Sequence, residues 1–224
     1  MANADKWVFF DVDDVLVDTS TPLELALRKM TGLHLPHTAW PNHMFTELYG
    51  IGKERAEEMR AVWVQERVLE TAQVFDGVRE TFHEFADEGY RLGLITARAW
   101  HPKAREITEA MVNENGLPVE EIKLMGFFDS KADILRDCGL SIHGFIDDTA
   151  RHAQGVAALG VHSVLQSRFW NQSAVDTPRV ERIGDFPQWL RLRTLKSALS
   201  AGVVSAPKST ASPIRRKGLK SVAG

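Results

Sequence analysis

The sequence of 224 residues has a single cysteine, Cys138, which excludes an intramolecular disulfide and a zinc site built from several cysteines. Cys138 lies in a stretch typical of a helix end, so we interpret it as a buried structural thiol. No apolar run is long enough to cross a bilayer, and residues 1–7 lack the features of a signal peptide. We therefore expect no membrane partner and a cytoplasmic location.

Acidic residues are absent after Asp185, although the whole chain carries a formal net charge of −3. That net charge excludes a chain that is strongly basic throughout, as nucleic-acid-binding domains often are. Residues 196–224 are rich in Ser, Ala, Pro, Lys and Arg, which predicts a disordered basic tail. The basic cluster at 215–217 is typical of a solubilising segment, so we do not expect a nucleic-acid partner.

Three apolar runs rich in β-forming residues end at polar residues, as buried central strands do. They are residues 7–10 before Asp11, residues 92–95 before Thr96, and residues 142–146 before Asp147 and Asp148. A fourth run covers residues 161–165, and residues 122–127 form a weaker strand candidate. Helical patterns fall between the runs, at residues 77–88, 102–114 and 130–138, with Ser130 placed as an N-cap.

This alternation of strands and helices predicts an α/β fold, a Rossmann-like parallel sheet flanked by helices. In such a sheet, ligands bind beyond the carboxyl ends of the strands. Residues 19–73 contain helical patterns at 23–29 and 53–69 but no convincing strand. We therefore predict a core formed by residues 1–18 and 74–195, with a small helical insertion over residues 19–73.

Asp11 and Asp13 directly follow the first predicted strand. In an extended segment, residues two apart project to the same side, so the two carboxylates are expected to share a small volume. Two such charges are costly to hold together unless a cation neutralises them or one takes up a proton, and Mg²⁺ suits an all-oxygen site. The other interpretation is an acidic loop or a helix cap, which also fits the neighbouring Asp14 and Asp18.

Three later elements favour the metal and phosphate interpretation. Thr96 offers a hydroxyl at a strand end, and the backbone N–H groups of Ala97 and Arg98 follow it, as in many oxyanion sites. Lys131 lies at a predicted helix start, where a cation is unfavourable unless it neutralises anions; the alternative is a solvated surface lysine. Asp147 and Asp148 add a second acidic pair at a strand end.

These residues, in this order, resemble the four motifs of the haloacid dehalogenase (HAD) superfamily. The segments are 9–16 (FFDVDDVL), 94–98 (LITAR), Lys131, and 145–149 (FIDDT). The resemblance spans residues 7 to about 165. Response-regulator receiver domains use the same residue types, but they place a paired acid first and the lysine last, so the order here speaks against them.

The resemblance implies a role for each matching position. Asp11 is the expected nucleophile and an Mg²⁺ ligand, and Asp13 is the expected general acid/base, with its carbonyl also on the metal. Thr96, with the Ala97 and Arg98 backbone, and Lys131 are expected to hold phosphoryl oxygens. Asp147 and Asp148 are expected to bind Mg²⁺, the latter through water. The acid at Asp13 disfavours carbon–halogen cleavage and fits phosphatases and phosphomutases equally well.

The insertion resembles the cap that this superfamily places over its substrate. Together with the first two motifs, its length is similar to the 5′(3′)-deoxyribonucleotidase branch, also called the cytosolic type C 5′-nucleotidases. That resemblance implies a small phosphate ester as substrate, and a nucleotide in particular, with cap aromatics stacking on the base. Candidates for substrate contact are Trp40, His43 and Phe45, whereas Trp63 is better explained as a core residue of an amphipathic helix.

Two alternatives stay open at this stage. One is a sugar-phosphate phosphatase or phosphomutase that uses the same residues. The other belongs to a different class, a binding or regulatory module in which the HAD scaffold is inert and the basic tail is a tether. No expected catalytic position carries an inert residue, which speaks against the second alternative. A homodimer is compatible with the sequence.

Overall fold

The computed structural model of the chain describes residues 5–40, residues 48–200 and Gly202. Their strands are β1 (Lys6–Phe10), β2 (Val17–Asp18), β3 (Gln73–Val74), β4 (Arg91–Thr96), β5 (Glu121–Leu124), β6 (Ser141–Asp147), β7 (His162–Gln166) and β8 (Arg179–Val180). Six of them form one sheet in the order β5-β4-β1-β6-β7-β8, and every neighbouring pair in it is parallel. The predicted α/β fold with a parallel sheet is confirmed.

Helices cover both faces of this sheet. They are α1 (Ser20–Thr31), α2 (Ala56–Gln65), α3 (Val68–Thr71), α4 (Val78–Asp87), α5 (Ala104–Glu114), α6 (Lys131–Asp137), α7 (Ala150–Ala157) and α8 (Phe186–Ser200). Side chains of β1 alternate between the two faces, as a strand requires. Val8 and Phe10 pack in a cluster with α4, α5 and α8, whereas Trp7 and Phe9 pack with α6 and α7.

The position of β1 decides where polar residues gather. Phe10 pairs with Leu94 of β4 on one side and with Ile146 of β6 on the other. The carboxyl ends of the three central strands therefore lie at one edge, and Asp11 leaves β1 at that edge. Gly93 permits the close packing of β4 on β1, since a Cβ there would lie 2.4 Å from the buried Phe9 ring.

The helices that cover the sheet begin and end close to the predicted positions. The three predicted helices at 77–88, 102–114 and 130–138 correspond to α4, α5 and α6. The side chain of Ser130 accepts a hydrogen bond from the backbone N–H of Asp133, which confirms its predicted role as the N-cap of α6.

The segment between β2 and β3 forms a small helical unit. It contains α1, α2 and α3, and Leu23, Leu27, Met59, Trp63 and Val68 share its hydrophobic cluster. β2 and β3 pair antiparallel where the chain leaves and rejoins the core. The predicted continuous helix over residues 53–69 is interrupted, because Arg67 takes a left-handed conformation (φ 56°) between α2 and α3.

Two features near the C-terminus differ from the sequence expectation. The two-residue strand β8 was not predicted, because a pair of residues carries no readable periodicity. Helix α8 runs to Ser200, five residues into the predicted tail over 196–224, and residues 203–224 lie outside the described part of the chain. Among the described helices, none is both long enough and apolar enough to span a membrane.

Candidate active site

Lys131 joins two buried carboxylates at the carboxyl edge of the sheet. Its ammonium nitrogen lies 2.7 Å from a carboxylate oxygen of Asp11 and 2.7 Å from one of Asp147. Lys131 is 1% exposed, so it is not the solvated surface lysine that the sequence also allowed. It is the first residue of α6, and the Ser130 cap fixes where that helix begins. The cation at this helix start therefore neutralises two anions, as expected on dipole grounds.

Asp148 completes a group of three buried carboxylates with Asp11 and Asp147. One oxygen atom from each of the three residues lies within 4.8 Å of the others. The indole N–H of Trp170 donates to Asp148 Oδ2 at 2.8 Å. Within the described residues, no lysine or arginine forms an ion pair with Asp148. Burial and the neighbouring carboxylates raise the pKa of Asp148 well above its ordinary value.

Asp13 lies opposite the end of β4, where its carboxylate forms an ion pair with Arg98. The guanidinium donates from Nε to both oxygens, at 3.1 and 2.9 Å, and from Nη2 to Oδ1 at 2.7 Å. The hydroxyls of Thr96 and Thr19 also donate to Asp13, at 3.1 and 2.6 Å. Arg98 is 1% exposed, so this pair is a fixed part of the site rather than a surface contact.

The structure thus brings together the residues predicted for catalysis, phosphate binding and metal binding. Ala97 lies between Thr96 and Arg98, partly buried against the core. The sequence predicts only a backbone role for Arg98, and the contact of its side chain with Asp13 is seen only in the structure. The available signal was its position two residues after Thr96, on the loop that leaves the central edge of the sheet.

The donor set fits a hard divalent cation such as Mg²⁺. All of the clustered atoms are carboxylate oxygens, which are the ligands that Mg²⁺ prefers. The site residues described here comprise four carboxylates and two cations, namely Asp11, Asp13, Asp147, Asp148, Lys131 and Arg98. When all four carboxylates are ionised, two negative charges remain, and a divalent cation would neutralise these charges, which are expensive to bury unpaired.

The pKa values of Asp11 and Asp13 are shifted in opposite directions. Burial raises the pKa of Asp11 to about 7; the charge of Lys131 opposes this increase, whereas the charges of Asp147 and Asp13 add to it. Burial also acts to raise the pKa of Asp13, but Arg98 and the threonine hydroxyls hold it below its ordinary value. The expected general acid/base role of Asp13 requires a proton on Asp13 during the reaction, whereas in the metal-free arrangement Asp13 has a lower pKa than Asp11.

Asp14 adopts a left-handed backbone conformation (φ 58°), which is uncommon for a residue other than glycine. Its carboxylate accepts hydrogen bonds from the backbone N–H and the hydroxyl of Ser20, at 3.0 and 2.8 Å. Its carbonyl accepts from Nε of Arg168 at 2.6 Å. Asp14 therefore links the Asp11–Asp13 loop to the first residue of α1.

The candidate substrate contacts have a different setting from the candidate catalytic residues. Trp40 is 3% exposed and belongs to the hydrophobic cluster of the insertion, as do Tyr49 and Trp63. His43 and Phe45 lie outside the described residues. The core interpretation of Trp63 is confirmed, and in this arrangement Trp40 is a core residue as well.

A different set of aromatic side chains lies on loops at the same carboxyl edge of the sheet. Phe127 and Phe128 are on the loop before Lys131, and Phe128 is 95% exposed. Phe127 stacks on Trp100, on the neighbouring loop after β4, with 6.1 Å between ring centroids and 8° between planes. No feature of the sequence singled out these residues, because only the order of strands in the sheet places the two loops side by side.

No family model matches the sequence, and no curated protein matches it. Among solved structures, a HAD-superfamily hydrolase of subfamily IA from Geobacter sulfurreducens is similar, with TM-score 0.52 and 15% identity over 84% of this chain and 97% of that one. A predicted phosphatase from Clostridium acetobutylicum is similar with a TM-score of 0.62 and 15% identity, over 87% of this chain and 100% of that one. Mycobacterium tuberculosis Protein Tyrosine Kinase A is similar with a TM-score of 0.62 and 20% identity, over 85% of this chain and 99% of that one. The chain therefore has the fold of the HAD-superfamily hydrolases.

Proposed function

We propose that this protein is an Mg²⁺-dependent phosphomonoesterase that forms an aspartyl-phosphate on Asp11. The observation that carries the proposal is the buried Lys131 bridging Asp11 and Asp147, beside a third carboxylate, Asp148. Phosphoryl transfer depends on positioning and charge neutralisation, and this edge of the sheet provides both. The likeness in fold to a predicted phosphatase supports the same reaction class.

Asp11, Asp147 and Asp148 would hold the metal, with the carbonyl of Asp13, and the cation would supply charge neutralisation at the phosphoryl oxygens. Lys131 keeps Asp11 in place, because its ammonium contacts both Asp11 and Asp147. Attack by a carboxylate oxygen of Asp11 on phosphorus forms the aspartyl-phosphate and breaks the bond to the leaving oxygen. Water then cleaves the phosphate from Asp11 in a second step.

Asp13 would supply the proton that the leaving oxygen needs and then accept one from the attacking water. The pKa of Asp13 lies below its ordinary value in the free protein, because Arg98 and the hydroxyls of Thr19 and Thr96 together outweigh the effect of burial. A phosphate dianion bound beside Asp13 opposes the effect of Arg98, since a nearby negative charge raises the pKa of a carboxyl group. Substrate binding would therefore favour proton uptake by Asp13 at the time the proton is required.

The substrate class that we propose is a nucleoside 5′-monophosphate. The exposed ring of Phe128 and the stacked pair of Phe127 and Trp100 lie on loops at the catalytic edge, close in sequence to Lys131 and Arg98. Aromatic faces next to a phosphate site suit a nucleobase, and stacking contributes about 1–3 kcal/mol per base. A sugar-phosphate phosphatase or mutase is the second candidate, favoured by the burial of Trp40, which leaves it unavailable for stacking.

Phosphate release from a panel of nucleotides and sugar phosphates, with Mg²⁺ and with EDTA, tests the reaction. We expect Mg²⁺-dependent release that is lost in Asp11→Asn and retained in the matched control Asp87→Asn, on the exposed side of α4. No release by folded wild-type protein, or full activity of Asp11→Asn, would contradict the proposal. Isomer formation without free phosphate would identify a mutase.

The nucleotide proposal has its own test. Phe128→Ala should raise KM for the preferred nucleotide about tenfold, since one stacking contact is lost, and should leave KM for a small sugar phosphate unchanged. Leu192→Ala, at another exposed apolar position, is the control. Faster hydrolysis of sugar phosphates than of any nucleotide would contradict the nucleotide assignment and leave the phosphatase assignment intact.

A further inference from the structure

Trp170 contacts the candidate metal site through its indole N–H. It lies in a short 3-10 helix, Phe169–Asn171, that follows β7, and it is 7% exposed. The N–H donates to Asp148 Oδ2 at 2.8 Å, whereas the other side-chain donor to Asp148, the hydroxyl of Thr149, is at 3.3 Å. Among the described residues, the indole is therefore the stronger side-chain hydrogen-bond donor to this carboxylate.

Asn171 fixes the backbone of the same aspartate. Its side-chain amide donates to the carbonyl of Asp148 at 2.8 Å and to the carbonyl of Gln166 at 2.7 Å, and its oxygen accepts from the backbone N–H of Arg168 at 3.1 Å. The segment after β7 thus holds Asp148 at both its main chain and its carboxylate. Such outer partners orient the ligands of a metal.

The ring of Trp170 also contacts the helical insertion. Its centroid lies 6.4 Å from that of Trp40, with 39° between the planes. Trp40 is anchored in the insertion by an indole hydrogen bond to the carbonyl of Leu35 at 3.3 Å and by an edge contact with His37. One rigid indole therefore touches the insertion with its ring and a metal-site carboxylate with its N–H.

We propose that Trp170 is a positioning residue that couples the seating of the insertion to the orientation of Asp148. The indole is planar and rigid, so packing against Trp40 fixes the direction in which its N–H points. Loss of the Trp40 contact frees the ring to turn, and the hydrogen bond to Asp148 then weakens. The insertion thereby strengthens cation binding when it packs against the core. This inference rests on the proposed function, in which Asp148 helps to bind Mg²⁺.

The test measures Mg²⁺ binding by calorimetry, without substrate. Trp170→Phe keeps an aromatic ring but removes the N–H, and we expect Mg²⁺ to bind about tenfold to a hundredfold more weakly, the range for loss of an outer partner. Trp189→Phe, the same substitution on α8, is the matched control and should bind Mg²⁺ like the wild type. Melting temperatures in EDTA verify that each variant is folded.

The coupling is tested by a double-mutant cycle. Trp40→Leu should weaken Mg²⁺ binding in the wild type, but it should add no further loss in the Trp170→Phe background, where the N–H is already gone. Trp40→Phe, which keeps a ring at the contact, should restore most of the affinity. Equal losses from Trp40→Leu in both backgrounds, or wild-type Mg²⁺ affinity in Trp170→Phe, would overturn the inference.

This experiment separates the inference from the proposed function. The inference is supported if the wild type binds Mg²⁺, Trp170→Phe binds it more weakly, and Trp40→Leu adds no further loss in the Trp170→Phe background. This holds even if no phosphate ester is hydrolysed. A wild-type protein that binds no Mg²⁺ would overturn it. Phosphate release that stays intact while the cycle shows no coupling would overturn the inference alone.

Discussion

At the scale of single residues, Arg98 determines the state of Asp13. Two N–H groups of one buried guanidinium make three hydrogen bonds to the carboxylate, and together with the hydroxyls of Thr19 and Thr96 they outweigh the burial that would otherwise raise its pKa. A planar guanidinium can donate hydrogen bonds to both carboxylate oxygens at once, whereas the ammonium of a lysine is a point charge. Arg98 is therefore expected to orient Asp13, the proposed general acid/base, as well as to neutralise it.

Arg98→Lys tests this role. We expect kcat to fall at least tenfold, because the carboxylate of Asp13 loses its fixed orientation. The pKa of Asp13 should rise, so the alkaline limb of the pH–rate profile, where Asp13 loses its proton, should move to higher pH. Unchanged kcat together with an unchanged pH profile would show that Arg98 does not position Asp13. Arg105→Lys, at an exposed arginine on α5, is the control.

The pKa of Asp11 leads to a prediction about pH and metal. Burial and its acidic neighbours raise that pKa to about 7 in the metal-free protein, so a proton occupies the carboxylate below this pH. Because Mg²⁺ binds the ionised form, its affinity should fall as the pH drops through 7. Phosphate release measured against pH at low and high Mg²⁺ should show the acidic limb moving to lower pH at high Mg²⁺. A limb that is independent of Mg²⁺ would contradict this competition.

At the scale of secondary-structure elements, the contact between β1 and β4 sets the geometry of the edge. Gly93 lies against Phe9, whose ring is fully buried, and a Cβ there would come within 2.4 Å of that ring. The register of β4 on β1 places Arg98 and Asp13 next to each other. The site therefore depends on a small residue far from the chemistry.

Gly93→Ala should lower the free energy of unfolding by about 1–3 kcal/mol, because the added Cβ would clash with the fully buried ring of Phe9 and force it to shift. Urea unfolding measures the change. Gly184→Ala is the matched control, since nothing lies within 4 Å of a Cβ built there. Equal stability of Gly93→Ala and wild type would show that β1 and β4 adjust their spacing easily.

At the scale of the whole molecule, α8 is the last described helix, and it packs on the core. Phe186 and Leu190 of α8 are buried in the main core, and Thr194 contacts the ring of His143 at 2.9 Å. The helix continues to Ser200, beyond the boundary expected at residue 195. Truncation at residue 195 would therefore cut a helix, and a truncation that tests the tail should begin after Gly202.

Removal of residues 203–224 should leave phosphate release and the melting temperature unchanged. That segment contains no acidic residue and little that could fill a core, so it is expected to contribute charge rather than packing. Removal of residues 186–224 should instead prevent folding, since it uncovers the buried cluster around Phe186. A large loss of activity in the shorter truncation would show that the basic segment takes part in substrate binding.

The sequence alone determined much of the fold and of the candidate active site. Apolar runs that stop at Asp11, Thr96 and Asp147 predict parallel strands, because buried strands need continuous apolar residues and polar groups appear only where they end. Ser130 predicts the start of α6 and so the position of Lys131. These features depend on short stretches of chain, and for this reason they can be predicted from the sequence alone.

Only the tertiary structure decided which residues from distant segments contact one another. Three contacts join residues that are far apart in the chain: the ion pair of Arg98 with Asp13, the hydrogen bond from Trp170 to Asp148, and the ring contact of the buried Trp40 with Trp170. The pKa order of the site was likewise decided by burial and by neighbours from separate strands. Local periodicity reports which residues a segment buries, but the partner of each buried polar group depends on how the strands and helices pack.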